Sequence, residues 1–448
     1  MHLAGFKLNF LRPVKGVAVP GYKEKTARQP IIEGPAPNEL IFPMKMHTGA
    51  PAEVRVEEGE LVKIGTLLGE APQHVSANIH SSVSGRVKGI DKRESFRGSS
   101  LSVVIENNGL DEEDWLESLD ESISLEKFFT RLTQSGIIGK GGAGFPTHVK
   151  FAPPGQGHRY MLINGAECEP FSTTDHRIML EYTDEVLRAI DFMRQLFGTE
   201  YNVVAIEDDK PDAIECFKRA VSEHSYRHIK IKKVSGRYPQ GDQGVLLKAV
   251  FDLEIPSGTF PSEMGVITSN VSTIKAIYDA VFLGQPLVKR VITVTGPAIV
   301  KPQNILSRIG TPVRDIINFC GGFTARAGKI INGGPMMGMP FSDLSIPVVK
   351  DTTTILCLGE DAKATPGETA CIRCAKCVDV CPVNLQPILI SNAYRSGRFD
   401  LCEILKAGSC IRCGCCTYIC PSKIPLLEDI KAGMDKLREM QNQAEGKQ

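Results

Sequence analysis

The amino-acid sequence predicts a multidomain protein of α/β plus all-β class, which ends in a cysteine-rich helical region. Short runs that alternate apolar and polar residues between glycine, proline or acidic turns fill roughly the first 110 residues, as is typical of strands and hairpins. In the middle of the chain, strand patterns alternate with helical patterns, which indicates a mostly parallel sheet. Residues 371–421 hold most of the 14 cysteines, and apolar residues at helical spacing surround them.

The composition excludes several classes of protein. The formal net charge is zero and no basic stripe occurs, so we do not expect a nucleic-acid partner. No segment is long and apolar enough to span a bilayer. The N-terminus, which begins Met1-His2-Leu3, lacks the apolar core and cleavage site of a signal peptide. We therefore expect a cytoplasmic chain that contacts a membrane only through partners.

Two runs of cysteine share the spacing C-x2-C-x2-C-x3-C-P. Three thiolates at this spacing can hold three irons of a [4Fe–4S] cluster, and the fourth cysteine of each run ligates the other cluster in two-cluster ferredoxin folds. The sequence thus predicts two clusters. Their ligands are Cys371, Cys374, Cys377 and Cys420 for the first cluster, and Cys410, Cys413, Cys416 and Cys381 for the second. Pro382 and Pro421 stop each loop from continuing as a helix.

Structural zinc and disulfides are the alternative interpretations of these cysteines. Zinc sites usually show two CxxC pairs rather than two runs of four that end in Cys-Pro. Disulfides require an oxidising compartment, which the N-terminus does not indicate. Cys402 and Cys415 lie outside the repeated spacing, and we expect them to be buried packing residues.

The N-terminal strands contain two runs, V-E-E-G-E-L-V-K-I-G-T-L-L and S-S-V-S-G-R-V-K-G-I, which resemble the half-repeats of biotinyl and lipoyl carrier domains. This predicts a barrel-sandwich hybrid. Carrier domains present a modified lysine in an M-K-M turn, and Met44-Lys45-Met46 has that sequence. However, only one half-repeat follows it directly, so an ordinary lysine on a strand edge is favoured. An intact-mass increment on Lys45 would indicate a carrier instead.

A glycine-rich segment, residues 136–147, follows an acidic linker at about 107–126. Glycines at this density exclude a stable helix or strand, and they let backbone amides approach phosphate oxygens closely. Lys140 and Lys150 can each add a positive charge to such a site. A plain turn is the alternative.

Polar residues end the buried strand that begins at Met161, where α/β sheets place their ligand sites. They are Asn164, Glu167 and Glu169, although the two glutamates can instead be a solvent-exposed helix N-cap pair. We also predict a strand over 203–207, a helix over 212–221, and a helix over 245–251 after the turn 238–244.

The strings G-x-G-G-A-G-F-P-T, N-x-x-E-x-E-P and S-N-V-S-T together resemble the flavin-binding subunit of respiratory complex I. With the barrel and the double ferredoxin motif, the chain is similar along its whole length to the RnfC family of Rnf electron transport complexes. The resemblance implies an FMN cradle formed by Gly139, Lys140, Gly141, Gly142, Ala143, Gly144, Phe145 and Lys150. It also implies a flavin–nicotinamide pocket lined by Asn164, Glu167 and Glu169 and closed by Asn270 and Thr273. Ala166 and Gly241-Asp242-Gln243 depart from the complex I pattern, which has an acidic residue and G-E-E there.

Residues after the flavin region predict a β-grasp-like unit: a strand over 288–296, a turn over 305–310 and a helix over 312–320. It is similar to the SLBB-like domain of the same family. The predicted domains are a barrel-sandwich hybrid (1–110), an FMN/NADH-binding α/β domain (127–285), an SLBB-like domain (286–350) and a helical two-[4Fe–4S] domain with its tail (351–448). In the tail, Leu427, Ile430, Met434 and Leu437 form one helix face, which docks on its own domain or on a membrane-bound partner.

A flavin accepts electron pairs and iron–sulfur clusters carry single electrons, so the chain is expected to convert between the two. By resemblance it is an NADH:ferredoxin oxidoreductase-type subunit, peripheral on the cytoplasmic side of the cell membrane. Its expected partners are NADH, ferredoxin indirectly, and membrane and cluster-bearing subunits that move ions. No acid–base residue is required. A soluble protein that serves a dedicated reductase and a non-redox carrier or scaffold remain alternatives, which co-purification and iron and flavin analysis would distinguish.

Overall fold

The structure is a computed structural model that describes residues 15–152, 157–224, 226–256, 258–324, 327–363 and 367–445. The N-terminal stretch on which the signal-peptide expectation rests lies outside these residues. The chain forms two compact units. The larger unit contains residues 21–233 and 259–364, and the smaller contains the described parts of residues 1–20, 234–258 and 365–448.

The larger unit begins with the N-terminal strands. Their bounds are β1 (Ile31–Glu33), β2 (Glu39–Pro43), β3 (Glu53–Val54), β4 (Leu61–Val62), β5 (Leu67–Glu70), β6 (Ile79–His80), β7 (Gly85–Arg93) and β8 (Ser100–Asn107). Two antiparallel sheets, in the orders β2-β8-β7-β4 and β3-β5-β6, form the barrel. Residues 61–70 form two strands, and Gly65 turns the chain between them at φ +101°. Its missing side chain lets the backbone approach the Asp114 carbonyl.

Lys45 follows β2 directly and is half-buried, while its neighbours Met44 and Met46 are 1% and 0% exposed. A modified lysine needs a freely exposed position at a hairpin tip. The structure thus places Lys45 where the ordinary-lysine interpretation expects it.

The α/β core follows. The elements of this stretch are α1 (Leu125–Gln134), α2 (Thr147–Lys150), β9 (Tyr160–Gly165), α3 (Thr174–Glu181), α4 (Thr183–Phe197), β10 (Tyr201–Glu207), α5 (Pro211–Glu223), β11 (Ile229–Val234), α6 (Gln243–Phe251), a 3-10 turn (Pro261–Met264), β12 (Val266–Asn270) and α7 (Val271–Phe282). Of these, α6 belongs to the smaller unit and not to the core. The sheet order is β11-β10-β9-β12, and β9 is parallel to both of its neighbours. The strands and helices predicted in this region are confirmed. As expected for parallel strands covered on both faces, β9 and β10 are almost wholly buried.

Next comes a six-stranded mixed sheet, in the order β1-β14-β13-β17-β15-β16. Its elements are β13 (Lys289–Thr295), β14 (Gln303–Arg308), α8 (Val313–Phe319), β15 (Lys329–Asn332), β16 (Met339–Phe341) and β17 (Thr354–Leu358). The helix predicted over 312–320 is confirmed as α8. The turn predicted over 305–310 is confined to residues 309–310. Residues up to Arg308 form a strand instead, because they pair with β13, and residues 304–306 also pair with β1. The sheet recruits β1 and β17 from outside 286–350, and the domain boundaries stay predictions.

The smaller unit is helical. Its cluster region contains α9 (Lys376–Asp379), α10 (Pro387–Arg395), α11 (Phe399–Ile404), a 3-10 turn (Ala407–Ser409), α12 (Cys415–Ile419) and α13 (Leu426–Glu445). α10 and α11 pack against α13. Ile430 and Met434 of the tail stripe are buried in this core, so the stripe docks on its own domain. The segment 234–258, which includes α6, belongs to the same compact unit. Of the helices in the described parts of the chain, none has the length and apolarity to cross a membrane.

Candidate functional site

The glycine-rich segment forms a closed loop between α1 and α2. The N–H of Gly139 donates to the Phe145 carbonyl at 2.8 Å, and the N–H of Gly144 donates back to the Gly139 carbonyl at 3.2 Å. Gly142 has a φ of +106°, and a Cβ built there meets nothing within 4 Å. The loop therefore presents bare backbone to open space at Gly142, as a phosphate cradle requires.

Barrel residues hold the loop on one side. Thr48 donates from its N–H to the Gly144 carbonyl at 2.8 Å and from its hydroxyl to the Ala143 carbonyl at 2.9 Å. Arg97 donates to the same Ala143 carbonyl at 3.1 Å and forms an ion pair with Asp351. Since a Cβ on Gly144 would lie 2.2 Å from the Arg97 guanidinium, a glycine at 144 is what lets Arg97 close on the loop.

The start of α7 holds the loop on another side. The N–H of Lys140 donates to the Thr273 hydroxyl at 2.9 Å, and Gly141 lies against the side chain of Asn270. Asn270 caps α7 by accepting from the Ser272 N–H at 2.8 Å. Asn164 stands opposite Asn270 in the register of β9 and β12. The structure thus brings the loop, Asn164, Asn270 and Thr273 to one edge of the parallel sheet.

Of the two lysines predicted for the cradle, Lys140 in the loop is buried, and Lys150 at the end of α2 is half-buried. Burial lowers the pKa of Lys140 to about 7, and the neighbouring Arg290 contributes to this lowering. Burial likewise lowers the pKa of Lys150 to about 8. A buried ammonium group is stabilised by an anion beside it. Both lysines therefore fit a site that receives a phosphate.

The Glu167 carboxylate is 6% exposed and caps α3. One of its oxygens accepts from the Asp175 N–H and from the hydroxyls of Ser172 and Thr174, at 2.8–3.0 Å. The other accepts from the His176 N–H at 3.3 Å. The N-cap interpretation therefore describes this side chain, but in a buried setting rather than in solvent.

The Glu169 carboxylate binds a turn of the β-grasp sheet. Its Oε1 accepts from the N–H groups of Met336 and Met337 at 2.7 and 3.1 Å. A Cβ on Gly334 would lie 2.0 Å from Glu169 Cγ, so this close approach depends on the glycine. Burial raises the pKa of Glu169. Glu169 thus joins the end of the flavin-region strand to the methionine-containing turn.

Asp175, in the first turn of α3, is a site residue that the sequence patterns do not reveal. It accepts from Asn270 Nδ2 at 2.6 Å and from the Ser272 hydroxyl, so it fixes the side chain that touches the glycine loop. Burial and the nearby Glu167 raise its pKa to about 6. Thr48 and Arg97 escape sequence reasoning as well. Nothing in the local sequence marks these residues, because each acts on a segment far away in the chain.

The two cysteine loops fold alike. Arg373 and Arg412 have φ values of +57° and +59°, and Ala375 and Gly414 have +59° and +78°. The N–H of Arg373 lies 3.4 Å from Cys371 Sγ, and the N–H of Arg412 lies 3.4 Å from Cys410 Sγ. Non-glycine residues adopt left-handed backbone at a cost. Its repetition at equivalent positions indicates that each loop wraps around a bound group.

The predicted ligands of the second cluster line one cavity. Cys381 of the first run enters it together with Cys410, Cys413 and Cys416 of the second. Apolar side chains, among them Leu385 and Ile430, complete the wall. Cys415, which lies outside the repeated spacing, lines the cavity as well. The four cysteines of the spacing, in an apolar cavity, suit a [4Fe–4S] cluster. The crossed contribution of Cys381 is the arrangement that the spacing predicts.

The first run begins beside the end of the second. The N–H of Thr369 donates to the Ser422 carbonyl at 2.9 Å, and the Ser422 hydroxyl donates to the Ala370 carbonyl at 2.9 Å. This pairing brings Cys371 near Cys420, as a shared first cluster requires. Cys371 and Cys374 are exposed, whereas the ligands predicted for the second cluster are buried or half-buried.

Cys402 and Cys415, the cysteines outside the spacing, are both 0% exposed. Cys402 packs in the core of the cluster region. Both are buried, as expected.

Four family models match successive parts of the chain. They are the RnfC barrel sandwich hybrid domain over residues 12–110, the Nuo51 FMN-binding domain over 132–279, the SLBB domain over 291–340 and the 4Fe-4S dicluster domain over 370–424. These matches confirm the predicted fold of each region. They also confirm FMN and two [4Fe–4S] clusters as the cofactors, and the loop and the cysteine cavity described above fit both groups.

Two relatives match this chain over most of their own length. The RnfC protein of the Na(+)-translocating ferredoxin:NAD(+) oxidoreductase complex of Acetobacterium woodii is 40% identical over 87% of this chain and 88% of the relative. The chain belongs to the RnfC family. The RnfC protein of the proton-translocating ferredoxin:NAD(+) oxidoreductase complex of Clostridium ljungdahlii is also 40% identical, over 84% of this chain and 83% of the relative.

Other RnfC proteins are longer. The one from the ion-translocating oxidoreductase complex of Pseudomonas aeruginosa is 36% identical over 83% of this chain but only 49% of the relative. Among solved structures, the NAD+-reducing [NiFe]-hydrogenase in the H2-reduced state aligns with a TM-score of 0.49 and 15% identity, over 71% of this chain and 61% of that chain.

Proposed function

We propose that this chain is the electron-transfer subunit of a membrane-associated Rnf-type complex, in which it passes electrons between NADH, through FMN, and [4Fe–4S] clusters and ferredoxin. The observation that carries the proposal is the presence of an FMN-binding domain and a dicluster domain in one chain. Relatives named as parts of ferredoxin:NAD(+) oxidoreductase complexes support the choice of NADH and ferredoxin.

Bound FMN supplies the conversion between electron pairs and single electrons. The chain supplies the geometry. Backbone amides around Gly142 would hold the phosphate, and Lys140 and Lys150 would add positive charge near it. The Thr48 and Arg97 contacts hold the glycine loop in place in the flavin-free protein. The entropic cost of ordering the loop on FMN binding is therefore smaller.

We propose that all residues of the predicted cradle bind FMN and that the nicotinamide lies beside it. The cradle comprises Gly139, Lys140, Gly141, Gly142, Ala143, Gly144, Phe145, Lys150, Asn164, Asn270 and Thr273. Glu167 acts indirectly in our proposal, because its carboxylate is occupied by α3. Glu169 binds the methionine-containing turn. We propose that the nicotinamide lies beside Glu167 and Glu169.

Cysteine thiolates would hold the clusters that carry the single electrons. We propose that Cys371, Cys374, Cys377 and Cys420 bind the first cluster and that Cys410, Cys413, Cys416 and Cys381 bind the second. Because Cys371 and Cys374 are exposed, the first cluster is the one within reach of a partner's redox centre.

We further propose that the chain is peripheral, on the cytoplasmic side of the cell membrane. Membrane and cluster-bearing subunits are its partners, and they move the ions. The relatives are named as parts of ion-translocating complexes. Co-purification with membrane subunits distinguishes this arrangement from a soluble protein that serves a dedicated reductase.

An anaerobic NADH titration of the purified protein tests the proposal. Flavin bleaching is followed by absorbance and cluster reduction by EPR in the same samples. We expect both signals to respond, with NADPH as the comparison nucleotide. Clusters that are present but stay oxidised, beside a flavin that dithionite reduces, would contradict NADH entry through this chain.

A further inference from the structure

The turn 237–243 lies within the range matched by the FMN-binding domain model, yet it belongs to the same compact unit as the cysteine loops. It follows β11 closely and leads into α6. The turn is therefore part of the flavin domain in sequence, but in the fold it belongs to the compact unit that contains the cysteine loops.

Tyr238 provides the direct link. Its side chain is 1% exposed, and its hydroxyl donates to the carbonyl of Cys413 at 2.8 Å. The sulfur of Cys415 lies 3.8 Å from the Tyr238 carbonyl. Tyr238 thus contacts the second cysteine loop at two points, on either side of Gly414. Cys413 is itself one of the four predicted ligands of the second cluster that line the cysteine cavity, and Cys415 lines it too.

Backbone hydrogen bonds and a helix cap hold the turn 237–243 in place on both sides of Tyr238. Val17 and Tyr238 exchange two backbone hydrogen bonds, at 2.8 and 3.0 Å. Gly16, at φ +111°, allows this approach, since a Cβ there would lie 2.1 Å from the Tyr238 carbonyl. On the other side, Asp242 caps α6 by accepting from the N–H groups of Gly244 and Val245.

We propose that Tyr238 is a positioning residue for the second [4Fe–4S] cluster and that it raises the reduction potential of that cluster selectively. A phenol that donates to the Cys413 carbonyl fixes the loop at a ligand and polarises the peptide that leads to Gly414. The N–H of a more polarised peptide carries more positive charge, which stabilises the reduced state of a cluster beside it. Hydrogen bonds around a cluster are among the determinants of its potential. The inference rests on the assignment of the second cluster and not on NADH binding.

Tyr238→Phe tests the proposal on the full chain with its clusters. The ring and its packing stay, and the hydroxyl is removed. We expect unchanged iron and flavin content. We also expect a three- to tenfold shift of the second cluster toward its oxidised form at a given potential, roughly 30–60 mV at about 59 mV per tenfold for one electron. EPR-monitored redox titration with dithionite measures both clusters in each sample.

The first cluster is the internal reference, and Tyr418→Phe is the matched control. Tyr418 is 45% exposed and lies in α12 of the same region. We expect the control to leave both potentials in place. Equal shifts of both clusters in Tyr238→Phe, or no shift at all, would overturn the proposal.

A second variant covers the case in which Tyr238→Phe assembles its clusters poorly. Cys415→Ala removes the other contact with the turn, together with the hydrogen bond between the Cys415 and Cys413 side chains, and leaves the phenol in place. We expect a shift that is again confined to the second cluster and in the same direction. If the second cluster behaves as in the unmodified protein in this variant while Tyr238→Phe loses iron from both clusters, Tyr238 is only a folding residue and the proposal fails. NADH reduction of the flavin is unaffected by either result, so a failure here is separable from a failure of NADH entry.

Discussion

The glycine loop and the two cysteine loops are built in opposite ways. The backbone of each cysteine loop repeats the same left-handed positions within its own few residues, and Tyr238 adds a contact from far away in the chain to the second loop. The glycine loop takes its shape from partners far away in the chain, among them Thr48, Arg97 and Thr273. The shape of the cysteine loops is thus encoded largely by local sequence, whereas the flavin cradle depends on tertiary contacts. Changes in the two regions should therefore have effects of different reach.

The largest effect is expected from the crossed ligands. Cys381→Ala should abolish the same EPR signal as Cys410→Ala, and not the signal that Cys374→Ala abolishes, because Cys381 lines the cavity of the second run. Iron content should fall to roughly half in each variant, since each loses one of two [4Fe–4S] clusters. Iron analysis and EPR of the three variants check this. If Cys381→Ala and Cys374→Ala lose the same signal, the ligands are not crossed.

A side chain at Gly142 is the next largest change. Gly142→Leu should empty the flavin site while iron content stays intact, because the new side chain occupies the open space above the loop and strains a backbone at φ +106°. Gly109→Leu is the matched control. Gly109 also has a positive φ, +71°, and open space around its Cβ position, but it lies outside the loop. Flavin fluorescence after denaturation measures FMN content. Simultaneous loss of iron would contradict the independence of the two regions.

Removing a contact that holds the glycine loop from the barrel should lower FMN affinity, although the deleted side chain is not part of the predicted FMN cradle. Arg97→Ala deletes the contact with the Ala143 carbonyl and the ion pair with Asp351. Charge-assisted hydrogen bonds of this kind are worth about 1.5–3 kcal/mol, so FMN affinity should fall about ten- to hundredfold. Fluorescence titration of flavin-depleted protein measures this affinity.

Arg93→Ala is the control for Arg97→Ala. Arg93 pairs with Asp91 on the exposed end of β7, and its loss should leave FMN affinity unchanged. Equal effects of the two variants would show that the barrel does not support the loop through Arg97.

The smallest effect is a pH dependence. Because burial lowers the pKa of Lys140 to about 7, the flavin-free protein loses this charge as the pH rises from about 7 to about 9. The FMN phosphate favours the charged form, so FMN affinity should decrease over that interval by up to about tenfold. The same titration in Lys140→Met should be flatter. A parallel decrease in both proteins would assign the effect to another group.

Sequence patterns are sufficient for features that depend on neighbouring residues. The cysteine spacing predicts both loops and their shared cavity, and apolar periodicity predicts β9, β10 and α5. Sequence patterns are insufficient where a residue's structure or role depends on contacts with residues distant in the chain. Residues 305–308 look like the start of a turn, but they form β14 because strands from two other segments flank them. Asp175 and Tyr238 carry no local signal for the same reason. Glu167 and Glu169 stand out in the sequence, yet only the fold shows that α3 and the methionine-containing turn bind them.

The placement of residues 234–258 in the smaller unit bears on the modularity of this protein. No single cut of the chain separates flavin domain from cluster domain. A fragment that starts after residue 364 carries all eight predicted cluster cysteines but lacks Tyr238 and Val17. A chimera that exchanges the dicluster region between relatives would therefore have to include residues 234–258 and the residues around Val17 as well.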